Sequence, residues 1–241
     1  MAVAAVVLVC CRSAYPAAGS GERAPNVLVP GSRLLVPLPL TDTAIDYAVS
    51  AKPTTGDTAE RPISENRREQ GQVPDRRDQV RLISTWTPPY HTSDSLVVER
   101  RGLAPVMEHL ESGGTRIYHY ARTRVWGTVQ PTDSARRSLD RTFPQPVFAF
   151  NEVEVLVRSL PFREGLTVVV PLFSEIDESV ERDTITVLGP DATRGSGAWT
   201  VRFADPAIVT RYVIDSASRA LRSAEITQRR TGTRFRYLPA R

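Results

Sequence analysis

The run Thr115-Arg116-Ile117-Tyr118-His119-Tyr120-Ala121, continued after Arg122-Thr123 by Arg124-Val125-Trp126-Gly127-Thr128-Val129, decides the fold class. Its β-branched and aromatic side chains alternate with polar ones at period two, the spacing of a half-buried strand. A tight break near Arg122 separates the two halves, and Gly113-Gly114 supplies a turn before the first. The stretch therefore predicts consecutive antiparallel strands.

Working outward, the same pattern recurs. Upstream it predicts strands at 44–49, 61–70, 80–86, 96–99 and 105–110, broken by turns at Gly71–Asp75 and Gly102. Downstream it predicts strands at 166–173, 180–188, 198–203, 208–214, 220–227 and 234–237, with clear turns at Asp215–Ser218 and Thr231-Gly232. Strands of this length at a spacing of about ten residues describe an antiparallel meander or barrel.

One segment departs from period two. Phe150, Val153, Val157 and Leu160 recur at helical spacing, and Leu156 widens the stripe. Glu152 and Glu154 near its start and Arg158 near its end suit the helix dipole, while Pro146 precedes the run and Pro161 stops it. A helix over about 148–160 must bury that stripe, and a curved sheet around it does so economically. The fold class is therefore mainly β: an open antiparallel half-barrel of about ten or more strands wrapped around one helix, with Val168, Val170, Val187 and Val213 facing inward. Residues 40–241 form this single domain.

Ala2–Cys11 is an uncharged apolar run, and Arg12–Ala18 is small and polar. Residues 1–18 read as a signal peptide or lipoprotein leader, too short to span a bilayer as a stable anchor. Leu8-Val9-Cys10-Cys11 resembles a lipobox and makes Cys11 a lipidation candidate, although Cys10 stands where a smaller residue is usual and no Lys or Arg precedes the run. Residues 19–39 read as a tether. Both cysteines lie in the leader, so the domain has no disulfide and no thiol ligand set. The expected location is periplasmic or outer-membrane associated in a bacterium, with possible membrane association through a lipid anchor; secretion is the alternative.

Of the 31 basic residues only Lys52 is lysine, and 27 acidic residues are interleaved with them. A net charge of +4 spread in this way argues against nucleic acid as a partner, although weak attraction to anionic lipid headgroups fits it. His91, His109 and His119 lack metal-ligand spacing. Gly195-Ser196-Gly197 lacks the frame of a hydrolase nucleophile, and Asp177, Glu178, Glu181 and Asp183 read as a solvated acidic loop. No catalytic residue, cofactor or metal is expected, and the protein reads as non-enzymatic.

The ligand-groove candidates are Arg116, Tyr118, Tyr120, Arg124 and Trp126, which share one sequence parity with Arg122, together with Trp86. Facing inward, they would line an amphipathic groove for a lipid or lipoprotein acyl chain or an acidic peptide. Facing outward, they would form a cation–π ladder. The function expected is an exported cell-envelope protein binding a lipid, lipoprotein or envelope polymer in the concave face of its sheet. An envelope hydrolase is the first alternative. A purely structural scaffold is the second, its trough filled by Trp86, Trp126, Tyr118 and Phe173.

The order of Arg116-Ile117-Tyr118, Val125-Trp126-Gly127, Arg158-Ser159-Leu160-Pro161-Phe162 with Glu164-Gly165, Trp199, and Arg211–Asp215 with Arg219–Arg222 resembles a bacterial envelope family, domain of unknown function 3108. The match covers roughly residues 40–238. The resemblance implies an open β-half-barrel around a helix, akin to periplasmic lipoprotein carriers, and carries no catalytic residues to transfer. The polar Arg61–Arg77 stretch departs from the family.

Overall fold

The computed structural model describes residues 26–37, 42–56, 58–195 and 197–240. The strands in chain order are β1 (Asn26–Val27), β2 (Thr43–Lys52), β3 (Arg61–Val73), β4 (Arg76–Trp86), β5 (Ser93–Glu99), β6 (Pro105–Glu111), β7 (Gly114–Ala121) and β8 (Arg124–Pro131). They continue with β9 (Arg137–Thr142), β10 (Phe148–Ala149), β11 (Thr167–Ser174), β12 (Ser179–Pro190), β13 (Ala198–Ala204), β14 (Ile208–Asp215), β15 (Leu221–Gln228) and β16 (Arg234–Pro239). The helix α1 is Val153–Ser159, preceded by a 3-10 turn at Phe150–Glu152.

The chain is mainly β, and all sixteen strands belong to one open sheet. Two antiparallel meanders, β2 to β9 and β11 to β16, are joined where β16 pairs with β2, with Tyr237 opposite Val49. Among the described residues the far rims do not pair backbone to backbone; side chains bridge them. Phe173 on β11 packs against Tyr118, Tyr120 and Phe143 at centroid distances of 5.3, 6.1 and 6.0 Å. In the turn after β11, Glu178 forms ion pairs with Arg137 and Arg141 of β9.

The helix begins later than the stripe predicts. Phe148 and Ala149 are extended and pair in parallel with Leu172 and Phe173, giving the exposed backbone edge of β11 the partner it needs. β1 covers the other end of that edge, opposite Val168 and Val169. The gap between them lies at Val170 and Pro171, and proline has no N–H to leave unpaired.

Helix α1 lies in the concavity. Val153, Leu156, Val157 and Leu160 are buried as the stripe requires, but Glu152, Glu154, Val155 and Ser159 are buried too. Val168, Val170 and Val187 belong to the core around the helix as expected. Val213 does not face inward: it is buried on the other face of β14, opposite Thr200 and beside Asp191 and Arg211, because the register gives the inward positions to Tyr212 and Ile214.

Part of the stretch read as a tether is docked. Leu28 and Leu35 are core residues, the Leu28 N–H donates to the Val169 carbonyl, and the Val36 N–H donates to the Ser159 carbonyl at the end of α1. Such contacts are invisible to composition, because a Gly- and Pro-rich segment looks alike free or packed.

Candidate functional site

In the hairpin β7–β8, Ala121 pairs with Arg124, Tyr118 with Gly127 and His119 with Trp126. Directly opposed residues share a face, and here every even position opposes an odd one. The expectation that one parity shares one face across both strands is therefore wrong for the pair. Arg116, Tyr118 and Tyr120 face the concave side with Val125 and Val129; Arg124 and Trp126 face the convex side with His119. The two-residue turn at Arg122-Thr123 causes the switch.

Tyr118 and Tyr120 are buried beneath Phe173, so they fill the concavity there and do not line an open trough. Arg116 is half-buried and donates to the Ser112 carbonyl. Outside, Trp126 stacks on His119 at 5.6 Å, with Arg124 5.3 Å from its ring, and Arg124 forks onto Asp140. This is the outward cation–π arrangement. Trp86 packs edge-on against Tyr90 and Tyr237, both at 5.7 Å, far from Trp126 in the sheet order.

The concave face keeps an opening between α1 and strands β2 to β5. There a pocket of about 60 Å³ has Ile45, Leu82, Leu96, Val155 and Leu221 as apolar walls, with Arg68, Gln70, Ser84, Asp94, Asn151, Glu154 and Arg158 as polar ones. Arg68 pairs with Glu154 and donates through Nε to Asn66 Oδ1 at 2.6 Å. Arg158 reaches Glu154 Oε1 at 3.5 Å and Gln70 Oε1 at 3.4 Å. Burial holds the Arg158 guanidinium below its usual range, although the carboxylate of Glu154 keeps it company. The pocket shares Thr43, Glu69, Gln70 and Ile83 with a shallower groove of about 350 Å³ at the sheet rim.

Behind the pocket lies a group of carboxylates that the sequence reading did not single out. Glu108 on β6 is fully buried between Leu96 and Tyr118 in the cross-strand row, and accepts from Tyr120 Oη at 2.7 Å and Asn151 Nδ2 at 3.0 Å. Burial raises its pKa against the lowering effect of those two donors. Asp94 and Glu175 are each pushed up to about 8, first by burial and then by the charge of Glu108. Asp94 Oδ1 and Glu152 Oε1 are buried without a hydrogen-bond partner. One signal was legible: Asp94 shares parity with Leu96 and Val98, and Glu108 with Leu110, so each is a carboxylate in a core register.

Other expected features resolve separately. Asp183 is not on a solvated loop; it lies in β12 opposite Val170, buried, with both oxygens unpartnered, and burial pushes its pKa up to about 8. Asp177 and Glu178 do lie in the turn before β12. His109 Nε2 is 3.7 Å from Glu111 Oε1 and His91 is exposed. Among the described residues no three His, Cys, Asp or Glu side chains converge to hold a metal ion, and no helix is long and apolar enough to cross a membrane. Cys11, the leader and Ser196 lie outside the described residues.

An open β half-barrel holding a buried helix, with a polar-walled mouth beside that helix, is the class of protein that this geometry defines. No family model, curated protein or solved structure matches the chain.

Proposed function

We propose that the protein is a non-enzymatic, exported cell-envelope protein that binds a lipid, lipoprotein or envelope polymer through the concave face of its sheet. The observation that carries this reading is the mouth between α1 and β2 to β5, where apolar walls meet unsatisfied or charge-bearing polar groups. Small-molecule sites have this composition: mostly apolar, with a few placed polar groups. The filled concavity under Tyr118 and Phe173 supports recognition of a headgroup or polar segment at the mouth over engulfment of a whole acyl chain. The same filling favours the second reading, a scaffold that binds nothing there. Membership of the envelope family that the sequence resembles belongs to this proposal.

Native mass spectrometry of protein purified gently from its host tests it. Co-purified lipid or polymer fragment that is lost when Ile45→Trp fills the mouth supports binding. A consistently empty protein supports the scaffold. Turnover of an esterase or glycosidase panel, abolished by Asp94→Asn, would establish the hydrolase alternative. The intact mass reports the leader: acylation at Cys11 is expected for the lipoprotein branch, and an unprocessed Met1 in the cytoplasm rules out export.

A further inference from the structure

Resting on the reading of this mouth as a binding site, we infer that its occupant is a small protonated primary amine, an aminoethyl arm such as that of an ethanolamine headgroup, seated against Asp94.

Size comes first. A volume of about 60 Å³ is well under the roughly 150 Å³ of a cavity that holds a benzene ring, enough for a few heavy atoms and too little for a sugar ring.

Charge comes second. Of the two arginines in the wall, Arg68 is engaged by Glu154 and Asn66, and Arg158 by Glu154, Gln70 and the Arg219 carbonyl. Among the described residues none donates to the Asp94 carboxyl, whose Oδ1 is buried without a partner. Glu108 on β6 and Glu175 after β11 lie close enough to raise the Asp94 pKa when they ionise, and Arg68 acts the opposite way more weakly. An ammonium donates three hydrogen bonds and accepts none, which is what an unpartnered carboxylate opposite Ser84, in a pocket also lined by Asn151, can use.

Proton linkage gives the proposal a signature. The carboxyl of the empty protein is held protonated to about pH 8, by burial and then by Glu108 and Glu175. An ammonium must displace a proton from these coupled carboxyls, so binding should release protons and tighten as pH rises toward 8.

Calorimetric titration with ethanolamine, using 1-propanol as the neutral analogue, is the direct experiment. Ethanolamine is expected to bind with proton release, 1-propanol not to bind, and Asp94→Asn to weaken binding at least tenfold. Ile45→Trp should weaken it without touching Asp94. Vesicles with ethanolamine headgroups should bind the protein, whereas vesicles without them should not. Equal binding of 1-propanol, no effect of Asp94→Asn, or preference for a glucosamine oligomer over ethanolamine each overturns the amine assignment. If native lipid still co-purifies in those cases, the binding role stands and only this inference falls; an empty protein that also ignores ethanolamine removes both.

Discussion

Arg158 and Arg219, 61 residues apart, hold each other's backbone. Arg158 Nε donates to the Arg219 carbonyl at 2.6 Å, and Arg219 Nη1 donates to the Arg158 carbonyl at 3.1 Å and the Leu160 carbonyl at 2.6 Å. The Arg219 guanidinium also sits 4.1 Å from the Phe162 ring centroid, and Phe162 stacks on Trp199. The last carbonyls of a helix have no intrahelical donor, so a side chain from the β14–β15 turn caps the end of α1 and ties the helix to the sheet.

Replacing Arg219 removes this cap. Arg219→Ala is expected to cost about 1–3 kcal/mol in urea unfolding, because buried carbonyls lose their charged donor. Arg219→Lys should recover little, since an ammonium cannot stack on Phe162 while bridging two carbonyls as the planar fork does. Full recovery by lysine would show that charge alone matters there.

Leu156 is the centre of the helix stripe and has no exposed surface. Leu156→Ala should cost about 2–5 kcal/mol through lost burial and the cavity left behind. Leu156→Asp should cost more, because it places a carboxylate in the core. An unchanged melting temperature in either variant contradicts the position of α1 in the concavity.

Asp183 gives a pH-dependent prediction. Its folded pKa of about 8 lies above the ordinary carboxylate value of about 4 in the unfolded chain. Between those values the folded state binds more protons than the unfolded state, so this group erodes stability as pH rises from about 4 to 8. Asp183→Asn cannot ionise, and its stability relative to the parent is expected to grow over that window. Denaturant titrations at pH 5, 6, 7 and 8 check this; a constant difference would place Asp183 in a solvated setting.

Gly102 tests the docking of the segment before β2. It has φ +75°, and a Cβ there would lie 2.4 Å from the Cα of Gly31, whose N–H donates to the Gly102 carbonyl. Gly102→Ala should displace residues 26–36, seen as faster hydrogen exchange and proteolysis in that segment with the rest of the sheet protected. Uniform protection would mean that the contact is dispensable.

The local alternation at 115–129 and its repeats were enough to determine thirteen of the sixteen strands, though not β1, the largely polar β9 or β10, and the stripe from Phe150 to Leu160 to determine a helix. Both are local signals, because backbone periodicity is written into neighbouring side chains. Three features needed the tertiary structure. Which face Trp126 shares with Tyr118 depends on the pairing register across a two-residue turn, and one step of register exchanges the faces. The pairing of β16 with β2 joins segments from opposite ends of the domain, which no local pattern specifies. Asp94, Glu108 and Asp183 look like ordinary polar strand positions one at a time. Only curvature of the whole sheet around α1 removes them from water, and that desolvation is what moves their protonation.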